Sequence, residues 1–162
     1  MTTIVDIYKA AERLINEIIR KEMVAQGHHL TGEMEESLFS QTSRKRRIDM
    51  MEGFAVDYTK FVEEGFPASS ANYGQVPFLI DYFKKRGLEE KEATAASFAT
   101  VRVWMKEGMP TQASKRFSST GSRTSMIENA FTGSEAKIDE FIGNGIDFVV
   151  EEKYRKEKSE KI

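Results

Sequence analysis

Two adjacent histidines, His28 and His29, stand out first for their chemistry, because several carboxylates follow them in the chain. Imidazole and carboxylate groups are common zinc ligands and common partners in acid–base catalysis. Adjacent residues point apart, however, and the segment has neither His-x-x-x-His nor His-x-Glu spacing to bring two ligands to one ion. The sequence therefore favours a turn between two helices, with no metal ion and no cofactor.

The remaining carboxylates and hydroxyls do not form a recognisable catalytic set. Glu35–Glu36 and Glu63–Glu64 are neighbours on predicted helices, so their side chains diverge. No serine lies in a nucleophile elbow, and the absence of cysteine excludes disulfides, thiolate metal sites and a cysteine nucleophile. We predict that the protein is not an enzyme. A Ser-His-Asp set and a hydrolase or nuclease site at the two histidines stay open as alternatives.

Four consecutive cations, Arg44, Lys45, Arg46 and Arg47, lie between two stretches that are compatible with β-strands. We expect them at or near the tip of an antiparallel hairpin. Such a tip repels itself unless it is solvated or meets acidic or phosphate groups. In an isolated domain solvation is sufficient, whereas in a ring with several converging tips a contact with acid or phosphate would dominate.

Residues 109–125, MPTQASKRFSSTGSRTS, form a second unusual segment with many hydroxyls and no regular periodicity. They do not have the glycine and lysine spacing of a P-loop. A segment of this length between helices is typical of a functional loop or of one that a neighbouring subunit orders. The candidate interface or DNA-facing residues of both segments are Arg44, Lys45, Arg46, Arg47, Lys115, Arg116, Phe117 and Arg123.

Composition limits the class of protein. A chain of 162 residues with 40% hydrophobic and 31% charged residues fits a single domain over residues 1–162. The net charge of -2 provides no overall attraction to nucleic acid or anionic lipid. The first residues do not resemble a signal peptide, and no apolar run approaches the length of a membrane span. We therefore expect no membrane partner.

Residues 3–27 have the most regular helical pattern. Thr3 is a suitable N-cap and Gly27 a suitable end. Burial of each aliphatic side chain contributes about 1.5–3 kcal/mol, which outweighs the tenths of a kcal/mol that β-branched residues cost in a helix. The apolar residues of this stripe are Ile4, Ile7, Ala11, Leu14, Ile15 and Ile18.

Residues 48–65 predict a strand that leads directly into a short helix. The helical spacing starts at Tyr58, and Gly65 is placed to end the helix. The alternating residues that we expect to face the core from the strand are Ile48, Met50, Phe54 and Val56.

Five further helices complete the prediction, at about residues 31–38, 78–86, 88–108, 125–131 and 134–156, with Ser125 as the cap of the fourth. The helix over 88–108 has two apolar stripes and is expected to pack on two sides. Its stripes contain Ala95, Ala99 and Val103, and Phe98, Val101 and Met105. The expected buried face of the last helix contains Ile138, Phe141, Ile142, Val149 and Val150.

Several short motifs follow one another in an order that resembles a known family. They are His29 with Thr31-Gly32 and Glu33 through Leu38, a strand pair, Tyr58-x-x-Phe61-Val62-Glu63-x-Gly65, and Gly108-Met109-Pro110 leading to Phe117. Over roughly residues 28–131 this order is similar to the tail-completion, or head–tail joining, family of tailed bacteriophages. The chain departs from the commoner pattern in having Phe66-Pro67 where a threonine is usual and in a longer segment over residues 66–107.

The resemblance implies an α+β fold: a small antiparallel β-sheet packed by a long N-terminal helix, an inserted helical pair over residues 66–107, a C-terminal helix and a charged tail over residues 152–162. It implies a structural virion protein without catalytic residues or cofactors. Copies of the chain would form a homo-oligomeric ring, a hexamer or dodecamer, at the head–tail junction or tail. The ring would contact neighbouring connector, portal-side and tail proteins, pass double-stranded DNA with transient non-specific contact, and assemble in the host bacterial cytoplasm.

A second hypothesis comes from the residues alone. The chain would be a monomeric nucleic-acid-binding module that uses the basic hairpin tip together with Lys115, Arg116 and Arg123. The affinity of such a module for DNA falls steeply with salt concentration.

Overall fold

The computed structural model describes residues 2–28, 33–45, 48–57 and 59–159, and within these ranges the chain is mainly helical with one two-stranded sheet. No helix in these ranges is both long enough and apolar enough to cross a bilayer. The elements are α1 (Ile4–Ala25), α2 (Glu33–Ser37), β1 (Phe39–Lys45), β2 (Ile48–Phe54), α3 (Thr59–Glu64), α4 (Val76–Lys85), α5 (Glu90–Glu107), α6 (Met126–Thr132) and α7 (Glu135–Ser159). The predicted α+β class is confirmed.

Helix α1 begins at the predicted N-cap, Thr3, which forms a capping box with Asp6. The Asp6 amide donates to the Thr3 hydroxyl at 3.2 Å, and the Thr3 amide donates to the Asp6 carboxylate at 2.9 Å. These bonds satisfy amide groups that have no partner inside the helix. At the other end Gly27 has a φ of 74°, which terminates the helix. The buried face of α1 consists of Ala11, Ile15, Ile19 and Met23.

The main core forms where α1 meets α6, α7 and the segment from α2 to β1. Its buried members are Ile15, Ile19, Met23, Met34, Leu38, Met126, Ala130 and Ile138. Partly buried Met51, Val56 and Val62 extend this core toward the sheet and α3. One face of α1 therefore packs against α6, α7 and the segment from α2 to β1.

Strands β1 and β2 pair antiparallel with Phe39 opposite Phe54 and Lys45 opposite Ile48. The Ser40 hydroxyl donates to Asn16 at 2.9 Å, and the Thr42 hydroxyl bonds to Glu12. These contacts place Ser40 and Thr42 on the face of β1 that is turned toward α1. Their partners on β2, Gly53 and Met51, lie on the same face.

The predicted core face of β2 is therefore wrong for Met50 and Phe54, which are exposed on the opposite face. The side chain of Ile48 lies outside the described part. A shift of one residue exchanges the two faces of a strand, and the hydroxyl contacts of β1 with α1 decide which face is inside. Val56 lies beyond the strand and packs on the core, as expected.

Helices α4 and α5 form a hairpin with a smaller core of Val76, Leu79 and Val101. The two ends of this hairpin meet where Phe66 and Met109 exchange backbone hydrogen bonds of 2.9 Å in both directions. We call this pair of bonds the neck. Next to it, the Trp104 ring contacts the Phe66 ring edge-on at a centroid distance of 5.2 Å.

Two predicted burial patterns are wrong in part. Of the six apolar residues in the two stripes of α5, only Val101 is buried, because within the described chain α5 packs on α4 through one face. On α7, Ile138 and Val149 are buried, but Phe141 and Val150 are exposed. In both helices the neighbouring elements cover only part of the apolar surface.

Gly65 makes the neck possible. Its φ is 68°, and an added Cβ would collide with the carbonyl oxygen of Met109. Gly87 provides a matched comparison, since its φ is 90° but no described atom lies within 4 Å of an added Cβ.

We expect Gly87→Ala to lower the free energy of unfolding by about 1–2 kcal/mol, the cost of a left-handed alanine. Gly65→Ala should cost at least about 2 kcal/mol more, because the neck must also open to admit the methyl group. Urea unfolding of both variants measures the difference. Equal losses would show that the close approach of Met109 to Gly65 does not constrain the fold.

Candidate functional site

The described part of the basic run lies at the end of β1. Arg44 and Lys45 are the last two positions of β1, opposite Asp49 and Ile48 on β2. Arg46 and Arg47, which the sequence places at the tip, lie outside the described residues. The expected pairing of the two flanking strands is present.

The segment over residues 109–125 is more regular than predicted, because Gln112–Phe117 form a 3₁₀ helix. The Thr111 hydroxyl begins this helix by accepting the amide of Ser114 at 3.2 Å. Lys115, Arg116 and Phe117 are exposed on it, and the Arg116 guanidinium lies 4.8 Å from the centroid of the Phe117 ring. This distance is within the range of a cation–π contact.

The rest of this segment is held against the carboxyl end of α1. The Ser119 amide donates to the carbonyl of Ala25 at 2.8 Å. Gln26 is fully buried, and its side-chain amide donates to the carbonyl of Thr124 at 3.2 Å. Polar groups of the same chain therefore hold this segment in place. From the sequence, a neighbouring subunit was one of the two alternatives for ordering it.

Arg123 completes this attachment. Its guanidinium donates to the carbonyls of Ser114 at 3.2 Å and Gly27 at 3.3 Å, and lies 3.4 Å from Nδ1 of His28. Burial lowers the pKa of Arg123 from its ordinary value. Of the predicted contact residues, Arg123 therefore already has partners inside the chain, whereas Lys115 and Arg116 are exposed.

His28 is part of the same attachment. Burial of its ring, and then the positive charge of Arg123, lower its pKa to about 4, so the ring is neutral at pH 7. His29 lies outside the described residues. Among the residues that the structure does cover, no three acidic or histidine side chains converge in a way that would hold a metal ion.

Glu63 is a structural residue that sequence reasoning missed. Its carboxylate accepts the amides of Ile127 at 2.9 Å and Glu128 at 3.3 Å, and so caps α6. Ser125 occupies the N-cap position, as predicted, but its hydroxyl caps no amide in the described chain. The available signal was the glutamate within the motif Tyr58-x-x-Phe61-Val62-Glu63-x-Gly65.

The structure separates the two candidate segments. Ser40 contacts Asn16 and Thr42 contacts Glu12, so β1 runs antiparallel to α1 and its basic end points toward the first half of α1. The segment over residues 109–125 instead contacts Ala25 at the other end. A helix rises 1.5 Å per residue, which places Glu12 and Ala25 roughly 20 Å apart. The two cationic segments do not form one site.

The most extensive candidate surface is aromatic. All eleven phenylalanines fall in the described part of the chain, and nine of them are at least 39% exposed. The rings of Phe39 and Phe54 stack on the outer face of the sheet, with a centroid distance of 4.8 Å. Tyr73 packs on Phe98, and Met105 is exposed on the same face of α5 as Phe98, seven residues further along. We call these the sheet patch (Phe39, Phe54 and Met50) and the α5 patch (Tyr73, Phe98 and Met105).

We expect Glu63→Ala to destabilise the protein by about 2 kcal/mol, because two amides at the start of α6 lose a charged acceptor. Glu64→Ala is the matched control, since Glu64 is the exposed neighbour on α3. Chemical denaturation of the two variants tests the difference. A loss for Glu64→Ala as large as that for Glu63→Ala would contradict the capping role.

The pKa of His28 makes stability depend on pH. The folded value of about 4 lies below the ordinary value of 6.5, so the unfolded chain binds the proton first as the pH falls. The contribution of the neutral ring is therefore complete above about pH 6.5 and declines as the pH falls toward 4. Because solvent reaches part of the ring, we expect the loss to be on the order of 1–2 kcal/mol.

The measurement for His28 is urea unfolding at several pH values for the wild type and for His28→Gln. Carboxylates contribute equally to both proteins, so the wild type should lose more stability between pH 6.5 and pH 4. Parallel pH profiles would show that His28 is not buried in its neutral form.

Comparison of the chain with protein-family models, with curated proteins and with solved structures finds no match. Its function is therefore inferred from the exposed aromatic surfaces, from the placement of its charges and from the motifs in its sequence.

Proposed function

We propose that the protein is a structural subunit of a tailed-bacteriophage virion, and that its copies form a ring at the head–tail junction through which double-stranded DNA passes. The observation that carries this proposal is the exposure of nine phenylalanines. Aromatic side chains are enriched in protein–protein interfaces, and large apolar patches are rare on proteins that stay monomeric.

The positions of these side chains favour a ring over a closed dimer. The sheet patch lies on the face of the sheet that is turned away from α1, whereas the α5 patch lies on the helical hairpin beyond the neck. A ring needs two different surfaces on each subunit, because each copy contacts its two neighbours head to tail. We propose that the sheet patch of one copy packs on the α5 patch of the next.

The sheet itself supports an assembled state. It has only two strands in the described chain, and an isolated two-stranded sheet is marginally stable in water. Its exposed face carries stacked aromatic rings where a monomer would normally have polar side chains. A neighbouring subunit that covers this face would remove the rings from water.

The residues that carry the family resemblance also lie together. Gly65 and Gly108 flank the neck, and Glu63 caps α6 from the turn of helix before Gly65. Their spatial proximity supplies a common structural role for motifs that are 40 residues apart in sequence. This supports the resemblance to the head–tail joining family and, with it, the proposed place in the virion.

Light scattering after size-exclusion chromatography tests the assembly. We expect the wild type to elute as a multiple of the chain mass and to form rings in negative-stain images. The double variants Phe39→Ser/Phe54→Ser, in the sheet patch, and Phe98→Ser/Met105→Ser, in the α5 patch, should each weaken association at least about tenfold. Val24→Ser is the control, because Val24 is an exposed apolar residue outside both patches.

A mixture of the two patch variants distinguishes a ring from a symmetric dimer. Each variant keeps the surface that the other lacks, so the mixture should form heterodimers and stop there. A wild type that stays monomeric at every concentration would contradict the proposal. So would phage particles that lack the chain although their genome encodes it.

A further inference from the structure

A basic groove runs between α1 and β1. It has a volume of about 450 Å³ and is open to solvent. Its lining includes Lys9, Glu12, Arg13, Asn16, Arg20 and Phe39. Sequence reasoning assigned no role to the cations of α1.

The spacing on α1 places these cations in one stripe. Lys9, Arg13, Asn16 and Arg20 are four, three and four residues apart, which keeps them on one side of the helix over roughly 16 Å. Lys9 and Arg13 are exposed, and neither has a hydrogen-bond or ion-pair partner within the described chain. Arg20 donates to the carbonyl of Leu38 at 3.3 Å, which holds it at the far end of the groove.

Of the acids of α1, only Glu12 lines the groove. Asp6 belongs to the capping box, and Glu12 bonds to the hydroxyl of Thr42. Glu17 pairs with Lys21 at 2.7 Å, and Glu22 accepts the side-chain amide of Gln26 at 2.9 Å. The lining therefore has three cations, Lys9, Arg13 and Arg20, and one carboxylate, on a chain whose overall charge is -2.

The β1 backbone continues beyond the groove. Thr42 lies beside Glu12, and the strand runs from there to its last residue, Lys45.

We propose that this groove binds the phosphodiester backbone of nucleic acid. The inference rests on the proposed function for its partner, the DNA that would pass through the ring, and assigns the surface that meets it. A strand of duplex DNA presents one phosphate for about every 3.4 Å of helix axis, so a stripe of roughly 16 Å meets several of them. Cations that contact only phosphates position the DNA, but they do not read its sequence.

An acidic segment of another copy matches the groove less well. Glu90 of α5 pairs with Lys84 at 2.8 Å and Glu151 of α7 with Arg155 at 3.2 Å, and lysines are interspersed with the other acids of α7. Glu89 and Glu92 form a capping box at the start of α5. A regularly charged polymer is the better partner for a groove that Lys9, Arg13 and Arg20 line along one side of a helix.

Fluorescence anisotropy with labelled DNA of arbitrary sequence tests the groove, using a duplex and a single strand of equal length. The test variant is Lys9→Glu/Arg13→Glu. The control is Lys137→Glu/Lys153→Glu, which makes the same change of net charge at exposed positions of α7. We expect the test variant to lose at least about tenfold in affinity, and the slope of log affinity against log salt to fall by about 2. The control should change less than about threefold.

A groove variant that binds DNA with the affinity and salt slope of the control overturns the inference, as does an equal loss in both variants. Circular dichroism verifies folding, and Lys9→Gln/Arg13→Gln replaces the test variant if the charge reversal does not fold. The stronger of the duplex and single-strand signals identifies which form supplies the phosphates.

Light scattering of the same samples separates this inference from the proposed function. A groove variant that forms rings and does not bind DNA supports both. A wild type that binds DNA through the groove but stays monomeric contradicts the ring and leaves the groove standing. A groove variant that loses self-association but keeps DNA binding shows a contact between copies and overturns the inference.

Discussion

The buried face of α1 is the constraint on which most of the molecule depends. Ile15, Ile19 and Met23 contact α6, α7 and the segment before β1, so these elements share one apolar surface. At full burial each of these side chains contributes about 1.5–3 kcal/mol. The polar side of the same helix holds the sheet through Asn16 and Glu12, and its carboxyl end holds the segment over residues 109–125. One helix therefore sets the position of the core, the hairpin and the long connecting segment.

This arrangement leaves much apolar surface uncovered. A single helix can bury one stripe of each neighbour, and within the described chain the outer faces of the sheet, α5 and α7 have no second layer. Five of the nine exposed phenylalanines, which would fill the core of a thicker domain, belong to these three elements. Exposed rings on several elements are understandable if neighbouring subunits supply the missing layer. The same thinness leaves the cations of α1 exposed along the groove beside β1.

Polar contacts decide which charges are free to bind a partner. Arg123 and Arg116 are only seven residues apart, yet Arg123 donates to two backbone carbonyls while Arg116 is exposed beside Phe117. Glu63 and Glu64 are adjacent, yet only Glu63 reaches the start of α6. Charged residues of the same type thus serve either to hold the fold together or to remain at its surface. Their different partners, supplied by distant parts of the chain, account for the difference.

Local sequence was sufficient to predict the helices and strands. The capping box at Thr3, the period of α1 and the positive-φ glycines that end helices are properties of neighbouring residues, and the predicted helices are present with small shifts at their ends. Burial was not local: the faces of β2, α5 and α7 depend on which element covers them, as the exposed Phe54 and Phe98 demonstrate. The groove, the internal partners of Arg123 and the cap by Glu63 also required the tertiary structure. They join residues from 18 to 96 positions apart, and the periodicity of a single segment carries no information about such partners.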